Sequence, residues 1–157
     1  MPTHDWTPRN SAFEIDYKKY HVSTVASVCA ISLDGPELIQ NYPKSINGAK
    51  YCLFLRALRA KHPDRKLLIF QDQLTVHHCK EVKPVYEELM IKVRENVAYS
   101  PNYNPAEGAI SVCKLSIKRE RFRASVLNKP IDVESEIEKS FMKIEKKVCV
   151  NFIAKCN

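Results

Sequence analysis

Two carboxylates in this sequence stand where side chains can do chemistry. Asp72 follows the short apolar run from Lys66 to Gln71 (KLLIFQ), which has the length and composition of a buried strand. Glu107 follows the loop Ser100-Pro101-Asn102-Tyr103-Asn104-Pro105 and opens a segment of helical character. Strand ends and helix starts meet at the sheet edge where α/β proteins build their ligand sites. Carboxylates gathered there repel one another, and the common relief is a divalent cation held by oxygen ligands. Such a cation activates water and steadies the entering and leaving oxygens of a phosphoryl transfer. Taken singly, each residue also suits a humbler role, since aspartate caps turns and glutamate favours the positive end of a helix.

The elements that must position these groups alternate along the chain. Tyr20 to Ser32 (YHVSTVASVCAIS) is β-branched and uncharged, as a strand buried on both faces would be. Asp34-Gly35-Pro36 turns it, and Glu37 to Tyr42 (ELIQNY) reads as an antiparallel return strand. Ser45-Ile46-Asn47 offers caps for a helix from about 48 to 61, with Tyr51, Phe54, Leu55 and Leu58 on one face. After the strand that ends at Asp72 comes a polar stretch, then a helix holding Val85, Leu89 and Met90 that starts near Pro84. Lys92 to Tyr99 (KVRENVAY) is the next strand, a helix runs from Ala106 to about Arg123, and Asn128-Lys129-Pro130 interrupts it. A last helix from about Asp132 carries Val133, Ile137, Phe141, Ile144 and Val148 on one stripe. That stripe suits either a dimer seam or, as expected here, packing back on the domain. The order predicts a mixed α/β layered domain.

Composition narrows the partners. A chain of 157 residues, 45% hydrophobic and 27% charged, is large enough for a core and excludes disordered and low-complexity classes. No apolar run approaches a membrane span, and the opening MPTHDWTPRN has no apolar signal core, so the sequence reads as intracellular. A net charge of +7 favours a polyanionic partner. The basic residues Lys114, Lys118, Arg119, Arg121 and Arg123 lie on the helix that begins at Glu107, where they could follow a phosphate backbone or form an ordinary solvated face. The six cysteines show no C-x-x-C pair and are expected as buried free thiols. His77-His78-Cys79 is dense in soft ligands, but adjacent residues cannot all face one ion, so structural zinc is not expected.

Two segments together resemble the signatures of the mariner-like DDE transposases. The first is LLIFQDQLTVHH, where an apolar strand ends in Asp72-Gln73-Leu74 and His77 stands five residues beyond the aspartate. The second is Tyr99-Ser100-Pro101 followed by Asn104-Pro105-Ala106-Glu107, with Lys114 beyond. Thirty-four residues separate Asp72 from Glu107, a spacing used by one major branch of that family. HDWTPRN resembles the family's Trp-x-Pro-x-Gly loop. The resemblance implies an RNase H-like mixed sheet with helices on both faces. It also implies catalytic and metal-binding roles for Asp72 and Glu107, a pair of Mg²⁺ or Mn²⁺ ions, and DNA cleavage and strand transfer. His77, Tyr99, Ser100, Pro101, Asn104 and Pro105 would support the motifs. The protein would be nuclear in a eukaryote and cytoplasmic otherwise, with DNA as partner and a homodimer as one possible assembly.

Departures from the pattern carry their own expectations. The family's first catalytic aspartate sits on a strand upstream of the Trp loop, and this sequence begins at the loop. Asp5 and Asp16 read as loop charges and Asp34 as a turn residue, so none is placed as a first-strand aspartate should be. Gln73 replaces the usual Asn and Ala106 the usual Ile. The expected organisation is therefore a partial catalytic domain over 1–128 lacking its first strand, with a C-terminal helix over 129–157 packed on it. Such a chain by itself would be catalytically crippled. The alternative function is a non-enzymatic, transposon-derived remnant that binds DNA or protein.

Overall fold

In the computed structural model, residues 24–97 and 100–156 are described. The chain runs β1 (Val25–Ser32), β2 (Gly35–Pro43), α1 (Gly48–Lys61), β3 (Leu67–Gln71), α2 (Val82–Glu88), β4 (Ile91–Glu95), α3 (Pro105–Val126), α4 (Val133–Met142) and α5 (Lys146–Lys155). Short 3-10 turns at Thr75–His78 and Pro101–Tyr103 precede α2 and α3.

β1 and β2 form an antiparallel hairpin that turns at Gly35, whose φ of 119° is open to glycine alone among common residues. Ala30 pairs with Leu38 and Ile31 with Pro36, so Glu37 is left over as a bulge. The bulge aims the Glu37 carboxylate at Ser32 (2.5 Å), His62 (3.0 Å) and Lys61 (3.2 Å). β3 and β4 pair in parallel, Leu67 with Ile91 through Gln71 with Glu95, with α2 in the crossover between them.

Period-two alternation splits the hairpin's side chains between two cores. Val28, Ala30 and Leu38 pack with Tyr51, Phe54, Leu55 and Leu58 of α1 and Val82 and Val85 of α2. Cys29, Ile31 and Ile39 pack on the other face with Ala109 and Cys113 of α3, Phe141 of α4, Ile144, and Cys149 of α5. Helices therefore cover both faces, as the RNase H-like reading requires. Among the described residues the strands make two separate pairs, β1-β2 and β3-β4, with no ladder joining them.

Several boundaries differ from the sequence reading. The strand expected over 92–99 is Ile91–Glu95, because Asn96 turns the chain: its N–H donates to Gln71 O (2.8 Å) and its Nδ2 to Ser100 O (2.8 Å). The part of the first strand assigned to 20–23 lies outside the described residues. α2 ends before Leu89, and Met90 takes a positive φ of 51° with its side chain in solvent. Pro84 sits in the first turn of α2, where it costs no hydrogen bond. The expected last helix is two helices, since Ile144 is buried and Glu145 restarts the chain as the cap of α5. The bend brings Phe141 and Cys149 into one cluster, so this stripe packs on α3.

Candidate functional site

β3 carries the chain to Asp72 through a residue held on three sides. The Gln71 side chain is buried, and its Oε1 accepts from Tyr51 Oη (3.0 Å) and Tyr86 Oη (2.8 Å). Gln71 O is the acceptor for Asn96 N–H described above. The neighbouring Gln73 donates from Nε2 to Asn96 O (3.2 Å), which gives glutamine a structural reason at that position.

The 3-10 turn then folds His77 back over the aspartate. His77 Nδ1 lies 3.0 Å from Asp72 O and 3.1 Å from Asp72 Oδ1, and the Leu74 N–H points at the same Oδ1 from 3.4 Å. With a proton on Nδ1 the imidazole donates to both oxygens of Asp72. The ring rests against Tyr51, centroids 4.6 Å apart, which fixes its plane. His77 is largely buried at 11% side-chain exposure, whereas Asp72 keeps 35% and can meet a ligand. The sequence placed His77 in a motif without a role; the structure makes it the brace of Asp72. Its neighbour His78 turns away towards Glu95 (3.5 Å), and Cys79 donates to Thr75 O (3.5 Å).

Glu107 is set by the start of α3. Asn104 caps the helix, its Oδ1 accepting from Ala106 N–H (3.1 Å), and Pro105 occupies the first turn, where a missing N–H costs nothing. Glu107 N–H donates to Asn104 O (3.1 Å), placing the carboxylate in the first turn at the positive end of the dipole. Ser100 O accepts from both Asn96 and Tyr103 N–H (3.2 Å), so the loop after β4 is tied to the loop before α3. Tyr99 lies outside the described residues, and Pro101 opens the 3-10 turn.

Asp72 and Glu107 line a single groove of about 690 Å³, together with Leu74, His77, Tyr103 and Asn104. Glu107 also acts on its surroundings: burial pushes the Cys29 thiol of β1 up to about 12, with Cys113 and Glu107 adding to the effect. Among the described residues, no group of three or more His, Cys, Asp or Glu side chains is placed to hold a metal. Two carboxylates from separate elements still fit Mg²⁺, which keeps several waters and binds through one or two carboxylates. All six cysteines are free, with Cys113 and Cys149 buried and the other four half-buried.

The five basic residues of α3 are all exposed but do not share one face. Lys114, Lys118 and Arg121 continue the row of Glu107 and Ile110 at spacings of three and four residues. Arg119 and Arg123 fall on another side of the helix, and Arg123 pairs with Glu120 (2.8 Å).

A family profile described as DDE superfamily endonuclease matches residues 2–126. The chain belongs to this family. No curated protein matches the sequence. Among solved structures, this DDE endonuclease chain is similar to the Mos1 strand transfer complex, with a TM-score of 0.67 and 15% identity over 99% of this chain and 46% of that one. The Mos1 paired-end complex with the left transposon end gives 0.66 and 18%, covering 99% and 47%. The catalytic domain of Mos1 mariner transposase gives 0.57 and 17%, covering 79% of this chain and 64% of that domain. The chain spans just under half the length of the two transposase chains seen in complexes. These likenesses agree with the RNase H-like mixed α/β fold.

Proposed function

We propose that this DDE endonuclease chain is a mariner-like transposase domain that binds a divalent cation through Asp72 and Glu107 and acts on DNA phosphodiesters. The observation that carries the reading is that both carboxylates, from different elements, line one groove. The bound Mg²⁺ or Mn²⁺ would supply Lewis acidity and an activated water. This chain's own residues orient the site: His77 and the Leu74 N–H hold one oxygen of Asp72, and Asn104 sets the turn that presents Glu107. Lys114, Lys118 and Arg121 lead away from Glu107 along one helix row and would carry the phosphate backbone. The similar structures include a strand transfer complex, a paired-end complex with a transposon end and a catalytic domain with Mn, which supports DNA and a divalent ion as partners here.

A second reading rests on the carboxylate count. Glu37, the other carboxylate on the groove among the described residues, is engaged by Lys61 and His62, so Asp72 and Glu107 are left to bind one ion, and on this reading the described residues bind metal and DNA with little or no cleavage. Nicking of supercoiled DNA in Mn²⁺ separates the two. Cleavage by the parent chain that Asp72→Ala abolishes establishes the enzyme, whereas no nicking by the parent chain, with DNA binding that persists unchanged in Glu107→Ala, establishes the binding remnant.

A further inference from the structure

Along the groove, each carboxylate has an exposed apolar neighbour in the chain. Leu74 stands two residues after Asp72 and Tyr103 four residues before Glu107; both line the groove, and each is 56% exposed. Leu74 is tied to Asp72 through its N–H, which points at Oδ1 from 3.4 Å.

The exposure of Tyr103 has a structural cause. It immediately precedes Asn104, the cap of α3, at the position whose apolar side chain ordinarily packs on the fourth residue of the helix. In α3 that residue is Gly108, which offers no side chain, and Phe152 of α5 occupies the space where a Cβ would lie. The ring is thereby denied its usual partner. The aromatic contacts among the described residues involve Tyr51, Phe54 and His77, not Tyr103. Its backbone, by contrast, is held on every side. Tyr103 N–H donates to Ser100 O (3.2 Å), Asn102 O accepts from Cys156 Sγ (3.6 Å), and Asn104 caps the helix. A fixed backbone carrying a free ring loses little freedom when a flat partner settles on it.

We infer that Tyr103 is the stacking platform for an unpaired DNA base, the one next to the phosphate bound at Asp72 and Glu107, and that the substrate presents this base from a single-stranded tail or an opened end. The inference rests on the DNA reading of the site proposed above and names the form of DNA that the site takes. A nucleotide joins an anionic phosphate to a flat apolar base, which matches a cation held by two carboxylates with an aromatic ring alongside. A base within a duplex has both faces covered by its neighbours, so only a base out of the stack can use the ring. Every base has such a face, so the contact is indifferent to sequence. The row Lys114, Lys118 and Arg121 holds backbone phosphates of paired and unpaired DNA alike, and Tyr103 tells the two forms apart.

The test uses the full chain with two DNA hairpins, one with a flush end and one with a three-nucleotide single-stranded tail. The tail carries, at each position in turn, a fluorescent adenine analogue whose emission falls on stacking. Binding is measured by anisotropy in Ca²⁺, a hard cation that takes the same oxygen ligands. The parent chain should bind the tailed hairpin about tenfold more tightly than the flush one and quench the analogue at one tail position. Tyr103→Ala should lose both the preference and the quench while binding the flush hairpin as the parent does, and Tyr103→Phe should keep both. Equal affinity of the parent for the two hairpins, a quench that survives Tyr103→Ala, or loss of the quench in Tyr103→Phe each overturns the inference and leaves the DNA reading standing. Failure of the parent to bind either hairpin overturns the DNA reading and this inference with it.

Discussion

Asp72 depends on side chains that do no chemistry themselves. His77 and the Leu74 amide hold Oδ1, and the Tyr51 ring keeps the imidazole in plane. Groups that orient a metal ligand typically matter 10–100-fold in affinity. His77→Ala should therefore weaken Mn²⁺ binding by about that factor while leaving Glu107 in place, measured by calorimetric titration. A second residue-scale prediction concerns Glu37 in the bulge. Burial alone would raise its pKa, but hydrogen bonds with Ser32, Lys61 and His62 outweigh that and hold the carboxyl below its ordinary range. The folded chain thus prefers the ionised form. The resulting stability is present above the unfolded carboxyl's pKa and fades as pH falls through the lowered folded one. Glu37→Gln should cost about 1.5–3 kcal/mol near pH 7. The gap from the parent chain should shrink steadily between about pH 5 and pH 3 in urea titrations; a gap independent of pH would exclude the ionised carboxylate as the cause.

At the scale of elements, α3 does two jobs, presenting Glu107 at its start and packing α5 on its flank. The packing depends on Gly108, where an added Cβ would lie 2.6–2.8 Å from three ring atoms of Phe152. Because the crowded atoms include the base of the ring, relief requires the whole side chain and α5 to move. Gly108→Ala should therefore destabilise by about 1–3 kcal/mol despite alanine's better helix propensity, seen as a lower urea midpoint. Asn104→Ala removes the cap and should cost about 1 kcal/mol. Much of this level was readable beforehand. The stripe Tyr51, Phe54, Leu55, Leu58 and the cap Asn47 marked α1 because helical periodicity is local. The break between α4 and α5 was not readable. No proline or glycine stands there, and the chain bends so that Phe141 and Cys149 reach the same patch of α3. The end of β4 was hidden for a similar reason, since Asn96 leaves the strand to bond Gln71 and Ser100 across the fold.

For the whole molecule, the split of the basic residues predicts how DNA binding responds to salt. Each phosphate contact adds about −0.9 to the slope of log affinity against log salt. Lys114→Ala, Lys118→Ala and Arg121→Ala should each flatten the slope by about that amount, and Arg119→Ala should change it less, in fluorescence-anisotropy titrations from low to moderate salt. Divalent cation at ten times its dissociation constant should stabilise the fold by about 1.4 kcal/mol, a rise in melting temperature of about 3–6 °C, and Asp72→Ala or Glu107→Ala should remove it.

By itself the sequence determined the family, the alternation of strands and helices, and the two carboxylates with their spacing, because signature residues and apolar periods are written in contiguous stretches. Only the tertiary structure decided that Asp72 and Glu107 share a groove, that His77 braces one of them, and that three of five basic residues continue the row of the other. It alone also set β1 and β3, each with a single ladder partner among the described residues, along one groove. These are relations between residues far apart in the chain, created when α1 and α3 pack on opposite faces of the strands.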